Sequence, residues 1–195
     1  YDGNPPVTSS AGEVWYNTAE EKLYFTYDIN SWTEVADMNA GHAMGGYGGG
    51  IGDGIVWAGG GPGPAYTANS EVWNGSAWSE VNDLNTAGTY VPGAGSSNAA
   101  IAAGRNYPGV ASITEIWDGT SWTEVNDGAL GYGASFAGTV NAAVQSGGRN
   151  GSHGAEATTK EWNGTDWSTG GSLITARASF AGMLGSQNAA KHMGG

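Results

Sequence analysis

The chain has 195 residues and no cysteine, which excludes a disulfide, a thiolate metal site and a cysteine nucleophile. Large aliphatic residues are scarce: five Leu, seven Ile, eleven Val and three Phe make up about 13% of the chain. That falls below the roughly 20% which, with high net charge, normally marks a disordered polypeptide. Positive charge is scarce too. Six Lys and Arg against eighteen Asp and Glu leave a net charge of −12, a field that repels nucleic-acid phosphates and anionic membrane surfaces. No apolar run approaches the roughly 20 residues that span a bilayer. Tyr1 brings neither an initiator Met nor a basic segment followed by an apolar one, so the expectation is a processed, excised or partial chain. Against these shortages stand nine Trp, nine Tyr and 36 Gly. Disordered chains are poor in aromatics, so the order of residues must decide.

That order is periodic. One phrase occurs as Glu71-Val72-Trp73-Asn74-Gly75-Ser76-Ala77-Trp78, as Glu115-Ile116-Trp117-Asp118-Gly119-Thr120-Ser121-Trp122, and as Glu161-Trp162-Asn163-Gly164-Thr165-Asp166-Trp167, the last shorter by one residue before its first Trp. Tyr27 to Trp32 is a degenerate fourth copy. The second aromatic of each copy falls at 32, 78, 122 and 167. A small-residue phrase runs between them, from Asp53 to Gly59, Asn98 to Gly104, Asn141 to Gly147 and Asn188 to Gly194. Each unit of about 45 residues thus has two halves.

Both halves read as hairpins. Asn-Gly or Asp-Gly between short aromatic and β-branched runs is the pair favoured by a type I′ turn. In the small-residue half, Phe136-Ala137-Gly138 and Phe180-Ala181-Gly182 lead through a turn to strands of Ala and Val. Two hairpins per unit make a four-stranded blade, with Ala and Gly suited to the crowded strands near a central axis. No stretch has a helical period, so essentially no helix is expected.

Glycine doublets (Gly59-Gly60, Gly147-Gly148, Gly194-Gly195), each followed by an aromatic and then a Trp, resemble the kelch motif of β-propellers over roughly residues 23 to 195. Leu173 to Arg177 looks like the kelch segment that enters the next blade. The match is imperfect, because Ala103-Gly104 replaces one doublet and the unit is shorter than a typical kelch repeat. The repeat wording resembles kelch-like proteins of marine bacteriophages. Gly12 to Thr18 followed by Lys22-Leu23-Tyr24 is similar to a short hairpin module of phage tail-fibre and other virion proteins.

The expected fold is therefore all-β: residues 1–12 form a linker or tail, and 13–195 form a kelch-like β-propeller of four blades. The chain opens with a Trp-type hairpin, about Glu13 to Val35, and stops where the next such hairpin would begin. Pairing the N-terminal hairpin with the C-terminal strands would close the ring and remove open sheet edges. A fragment of a larger propeller is the competing reading.

Residues present in every blade are expected to be scaffold. This covers the columns Glu71, Glu115 and Glu161, and Glu34, Glu80 and Glu124, as well as Trp32, Trp78, Trp122 and Trp167 as wedges between blades, with sugar stacking as the alternative for the Trp column. His42, His153 and His192 are not at metal-ligand spacing and no calcium-loop pattern is present, although calcium on acidic turns stays open. No nucleophile elbow or phosphate loop appears. Neither catalytic residues, a metal nor a cofactor is expected, and the chain is not expected to be an enzyme.

Function is sought where the repeat varies. The loops after the glycine positions carry Tyr66, then Arg105, Asn106 and Tyr107, then Arg149, Asn150 and His153, an inventory of donors, acceptors and stacking faces suited to a glycan. Neutralisation of acidic turns is the alternative role for the two arginines. Lys191 and His192 depart from the columns Val56, Ile101, Val144 and Trp57, Ala102, Gln145. Taken with the resemblance, these features lead to the expectation of a non-enzymatic virion protein, in the extracellular particle and multimeric there. Its face loops would meet host surface glycan or neighbouring virion subunits, with no nucleic-acid or membrane partner. A secreted bacterial lectin and a purely structural assembly module are the alternatives.

Overall fold

The computed structural model describes residues 14–17, 22–25, 34–60, 65–106, 108–178 and 182–194. It divides into two units, Tyr1–Val35 and Ala36–Gly195. In the first, β1 (Val14–Asn17) and β2 (Lys22–Phe25) form a two-stranded antiparallel sheet. The degenerate phrase around Trp32 lies outside the described residues.

The second unit is built from repeated meanders. β3 (Gly46–Gly48), β4 (Ile55–Gly60), β5 (Tyr66–Trp73) and β6 (Trp78–Val81) form one four-stranded antiparallel sheet in chain order. A second joins β7 (Gly93–Ser96), β8 (Ala99–Arg105), β9 (Ala111–Trp117) and β10 (Trp122–Val125). The third joins β11 (Ser135–Thr139), β12 (Ala142–Ser146), β13 (Thr159–Trp162) and β14 (Trp167–Thr169). Last come β15 (Gly182–Leu184) and β16 (Lys191–Met193), a two-stranded sheet. Among the described residues there is no α-helix, and one 3-10 turn, Gln187–Ala189, connects β15 to β16. The first strands neighbour one another in succession, β3 beside β7, β7 beside β11 and β11 beside β15. The expected all-β architecture of two hairpins per repeat is thus present in three complete copies.

Tryptophan does the work of the missing aliphatics. Cross-strand partners Trp73 and Trp78, Trp117 and Trp122, and Trp162 and Trp167 each stack with ring centroids 5.4–5.5 Å apart. The first Trp of each pair donates its indole N–H to a carbonyl in the inner turn of its own sheet: Trp73 to Ile51 (2.9 Å), Trp117 to Ser97 (2.8 Å) and Trp162 to Val140 (2.8 Å). In the second and third sheets the second Trp reaches back to the preceding sheet. Trp122 donates to the Ser70 hydroxyl (3.1 Å) and packs on Trp57, while Trp167 donates to Thr114 (2.9 Å). The cores lie between sheets: one contains Ile55, Trp57, Leu84, Val91, Trp117 and Trp122, the next Ile101, Phe136 and Trp162 with Trp167 against it. Each buried indole removes roughly 200 Å² from water, on the order of 5 kcal/mol. The wedge role expected of the Trp column is seen at Trp122 and Trp167.

Glycine serves close approach. A Cβ on Gly46 would lie 2.2 Å from the Val91 carbonyl oxygen of the neighbouring sheet. At Gly104, where φ is 80°, a Cβ would lie 2.3 Å from the Leu130 oxygen. No other residue fits there.

Two details differ from the sequence reading. In the Trp hairpins the Asn-Gly pair is not the centre of a type I′ turn. Asn74 donates its N–H to the Ala77 carbonyl, so the central residues are Gly75 and Ser76, and of the two only Gly75 has positive φ (95°). A type I′ turn needs positive φ at both. The Asn74 side chain instead accepts from the N–H groups of Ser76 and Ala77, as Asp118 and Asn163 do in their own turns. Second, Glu161 does not belong to the Glu71 and Glu115 column. With Trp162 paired to Trp167, Lys160 occupies the register of Glu115, and Glu161 that of Ile116. One residue fewer turns the strand over, because side chains alternate between faces.

Candidate functional site

The two column glutamates have defined structural work. Glu71 is fully buried on β5. Its carboxylate accepts from the Asn39 N–H (2.8 Å), the Asn39 side chain (2.9 Å) and the Ala40 N–H (2.6 Å), and faces His42 Nε2 at 3.3 Å. Glu115 on β9 grips the entering segment of its own sheet in the same way, through the N–H groups of Asn85 (2.8 Å) and Thr86 (3.0 Å) and the Asn85 side chain (2.9 Å). In the third sheet Gln145 on β12 takes over, accepting from the Leu130 N–H at 2.7 Å. Burial is the largest influence on both carboxyls and pushes them up. At Glu71 the bonds from Asn39, Ala40 and His42 together outweigh it and hold the group below its ordinary value. At Glu115 the bonds from Asn85 and Thr86 do not, Glu124 adds repulsion, and the group ends above. These carboxylates are occupied by backbone donors.

A different region gathers varied side chains. The segments entering the first strands carry Met44, Tyr90 and Gly133, all with left-handed backbone (φ 60°, 55° and 61°). For Met44 and Tyr90 this costs about 1 kcal/mol or more each. Tyr90 donates its N–H to the Met44 carbonyl at 2.7 Å. The start of β3, β7 and β11, together with β15, surrounds a cavity of about 420 Å³ lined by Met44, Tyr47, Tyr90, Phe136, Met183 and Leu184 among glycines. From its wall a row of rings runs outward: Tyr90 meets Tyr132 edge-on at 5.8 Å, and Tyr132 meets His153 at 6.0 Å.

The candidate loop residues lie against these entry segments. Tyr66, exposed at the start of β5, pairs with Gly60, which in turn bridges to Ala43. Arg105 ends β8 and directs a guanidinium nitrogen at the Ala87 carbonyl (3.5 Å), while the Asn106 N–H donates to Thr89 (3.0 Å), next to Tyr90. Tyr107 lies outside the described residues. Arg149 pairs with Tyr132 through its own N–H (3.0 Å) and holds the His153 carbonyl through its guanidinium (2.6 Å). Asn150 accepts from the N–H groups of Ser152 and Gly154 (both 3.0 Å) and donates to Glu156 (2.6 Å). The His153 ring bonds the Tyr132 hydroxyl. The 149–156 loop is therefore cross-braced, with the Asn150 and His153 side chains exposed.

His192 performs a joining role. It stands on β16 opposite Met183, as Gln145 stands opposite Phe136, and bonds Ser146 (2.8 Å) and Ser135 (3.5 Å) of the third sheet. Burial and then the nearby Arg177 charge lower its pKa. Among the described residues no three His, Asp or Glu side chains are placed to hold a metal ion.

Sequence reasoning did not find Tyr47, Tyr90 or Tyr132. The available signal was a bulky residue in the variable segment ahead of each inner strand, at 44, 90 and 132. Neither a known protein-family model nor a characterised protein matches the sequence of this chain.

Proposed function

We propose that this chain is a non-enzymatic, kelch-like propeller module of a phage virion, presenting the loops of one face to host surface glycan. The observation that carries the reading is the 149–156 loop. Its polar groups are braced by Arg149, Asn150 and Tyr132 before any ligand arrives, so little ordering entropy is lost on binding, and the exposed Asn150 and His153 side chains form its outer surface. Arg105, Asn106 and Tyr66 extend the surface along neighbouring entry segments, and Tyr107 belongs to the same stretch of sequence. Single-site affinity of such a surface is modest, and many copies per particle raise it by avidity.

The same proposal completes the fold. β15 and β16 correspond to the first two strands of each complete sheet, and the N-terminal hairpin supplies the remaining pair of a fourth blade. No metal or cofactor enters this function, and the clamped Glu71 and Glu115 leave the repeated carboxylates to structure. The second reading, contact with neighbouring virion subunits, is favoured by the fully exposed Ile174.

The test is binding of purified, multimerised protein to intact bacterial cells and to their isolated surface polysaccharide. Saturable binding that drops at least about tenfold for Asn150→Ala with His153→Ala supports the glycan reading. Absence of binding to both, with this loop covered by neighbours in the particle, favours assembly. Turnover of the polysaccharide would overturn the non-enzymatic assignment.

A further inference from the structure

We propose that the cavity between the first strands is a binding site for a neutral, ring-shaped, largely apolar small molecule. This goes beyond the loop-face reading and does not depend on it. Among the described residues the lining contains no Lys, Arg, His, Asp or Glu, in a chain of net charge −12. A charged ligand would lose its hydration there without gaining a partner. Met44, Tyr47 and Leu184 line the cavity yet are 47%, 76% and 64% exposed. Large apolar groups left in water and gathered on one concave surface mark a place that is covered in use.

The space, about 420 Å³, falls in the range of small-molecule sites. Its walls combine apolar side chains with the backbone of Gly133 and Gly182, where no side chain crowds the space and a flat ring can approach. Among the described residues the polar side-chain groups of the lining are the hydroxyls of Tyr47, Tyr90 and Ser135, and Ser135 already bonds His192, so the site suits a ligand with at most one or two polar substituents. The left-handed backbone at Met44 and Tyr90 sits at this rim. Strain of that kind collects at ligand sites.

The probe is 1-naphthol, titrated calorimetrically into the full chain, with 1-naphthoate as its charged counterpart. Expected is saturable one-to-one binding of 1-naphthol, at least about tenfold tighter than 1-naphthoate. Gly182→Leu fills the cavity wall at a position outside the left-handed region, where a Cβ meets only the Met193 Cε at 3.6 Å. Tyr47→Ala removes an exposed ring without opening a core. Each is expected to weaken 1-naphthol at least about fivefold, while Ile174→Ala, exposed and away from the cavity, leaves it unchanged. No saturable binding, equal affinity for 1-naphthoate, or indifference to both cavity variants overturns the proposal. A chain that binds 1-naphthol but no polysaccharide upholds it while defeating the glycan reading.

Discussion

Glu71 and Glu115 grip equivalent segments, yet their replacement by glutamine should have opposite pH signatures. In Glu71→Gln the remaining carbonyl oxygen can keep the donors of one carboxylate oxygen, either the two from Asn39 or those from Ala40 and His42. The new amide then confronts the other pair. Losing two charge-assisted bonds costs about 3 kcal/mol at pH 7. In Glu115→Gln one bond, that to the Thr86 N–H, is lost, and relief of charge burial and of Glu124 repulsion offsets part of it. About 1 kcal/mol is expected there. The Glu71 carboxyl is held below its ordinary 4.5, so its contribution is fully present above 4.5 and disappears as pH falls through the folded value. The cost of Glu71→Gln should shrink in that acid window. The Glu115 carboxyl is held above 4.5, so the folded state takes up its proton first and gains stability as pH falls through the raised value toward 4.5. The cost of Glu115→Gln should grow there. Urea unfolding of the three proteins between pH 7 and pH 3 reads both trends. If the two costs change in the same direction, the opposition of burial and clamp bonds at these sites is wrongly assigned.

Trp122→Phe should lower stability by about 2 kcal/mol, from lost indole area and the unpaired Ser70 hydroxyl, and a double-mutant cycle with Ser70→Ala in urea should show coupling of about 1 kcal/mol. His192 has a lowered pKa, so the unfolded chain binds its proton first as pH falls below 6.5. Stability should therefore decline from about pH 6.5 downward, and calorimetry of His192→Gln should show that part of the slope gone. Gly104→Ala places a methyl 2.3 Å from a backbone oxygen at φ 80°, and a loss of at least about 2 kcal/mol in chemical unfolding is expected. If the N-terminal hairpin completes a fourth blade, hydrogen exchange should find amides of Lys191–Met193 as protected as those of Ala142–Ser146; free exchange in the last strand alone would count against closure.

The period and the two-hairpin unit were legible because turn and aromatic residues recur at fixed spacing and local turn chemistry sets local pairing. The Trp wedges were legible for the same reason. The face of Glu161 was not: a single missing residue is nearly invisible in a repeat, yet it changes which side of the strand the carboxylate leaves from. Nor was the takeover by Gln145, which comes from a different strand and meets Leu130 only through the fold. The loop candidates were legible as departures from the repeat. Their bracing onto Tyr132, and the cavity beside it, depend on entry segments from separate repeats that no short motif connects.

The indole bonds of Trp73, Trp117 and Trp162 end on main-chain oxygens belonging to Ile51, Ser97 and Val140. Three unrelated side chains stand at these positions because the tryptophan reads only the peptide group. Substitutions in those turns, including changes of charge or size, can accumulate without loosening the anchor, provided the backbone path is kept. The turns between first and second strands are thus the natural places to graft new side chains onto this scaffold, and the places where related sequences are free to diverge fastest.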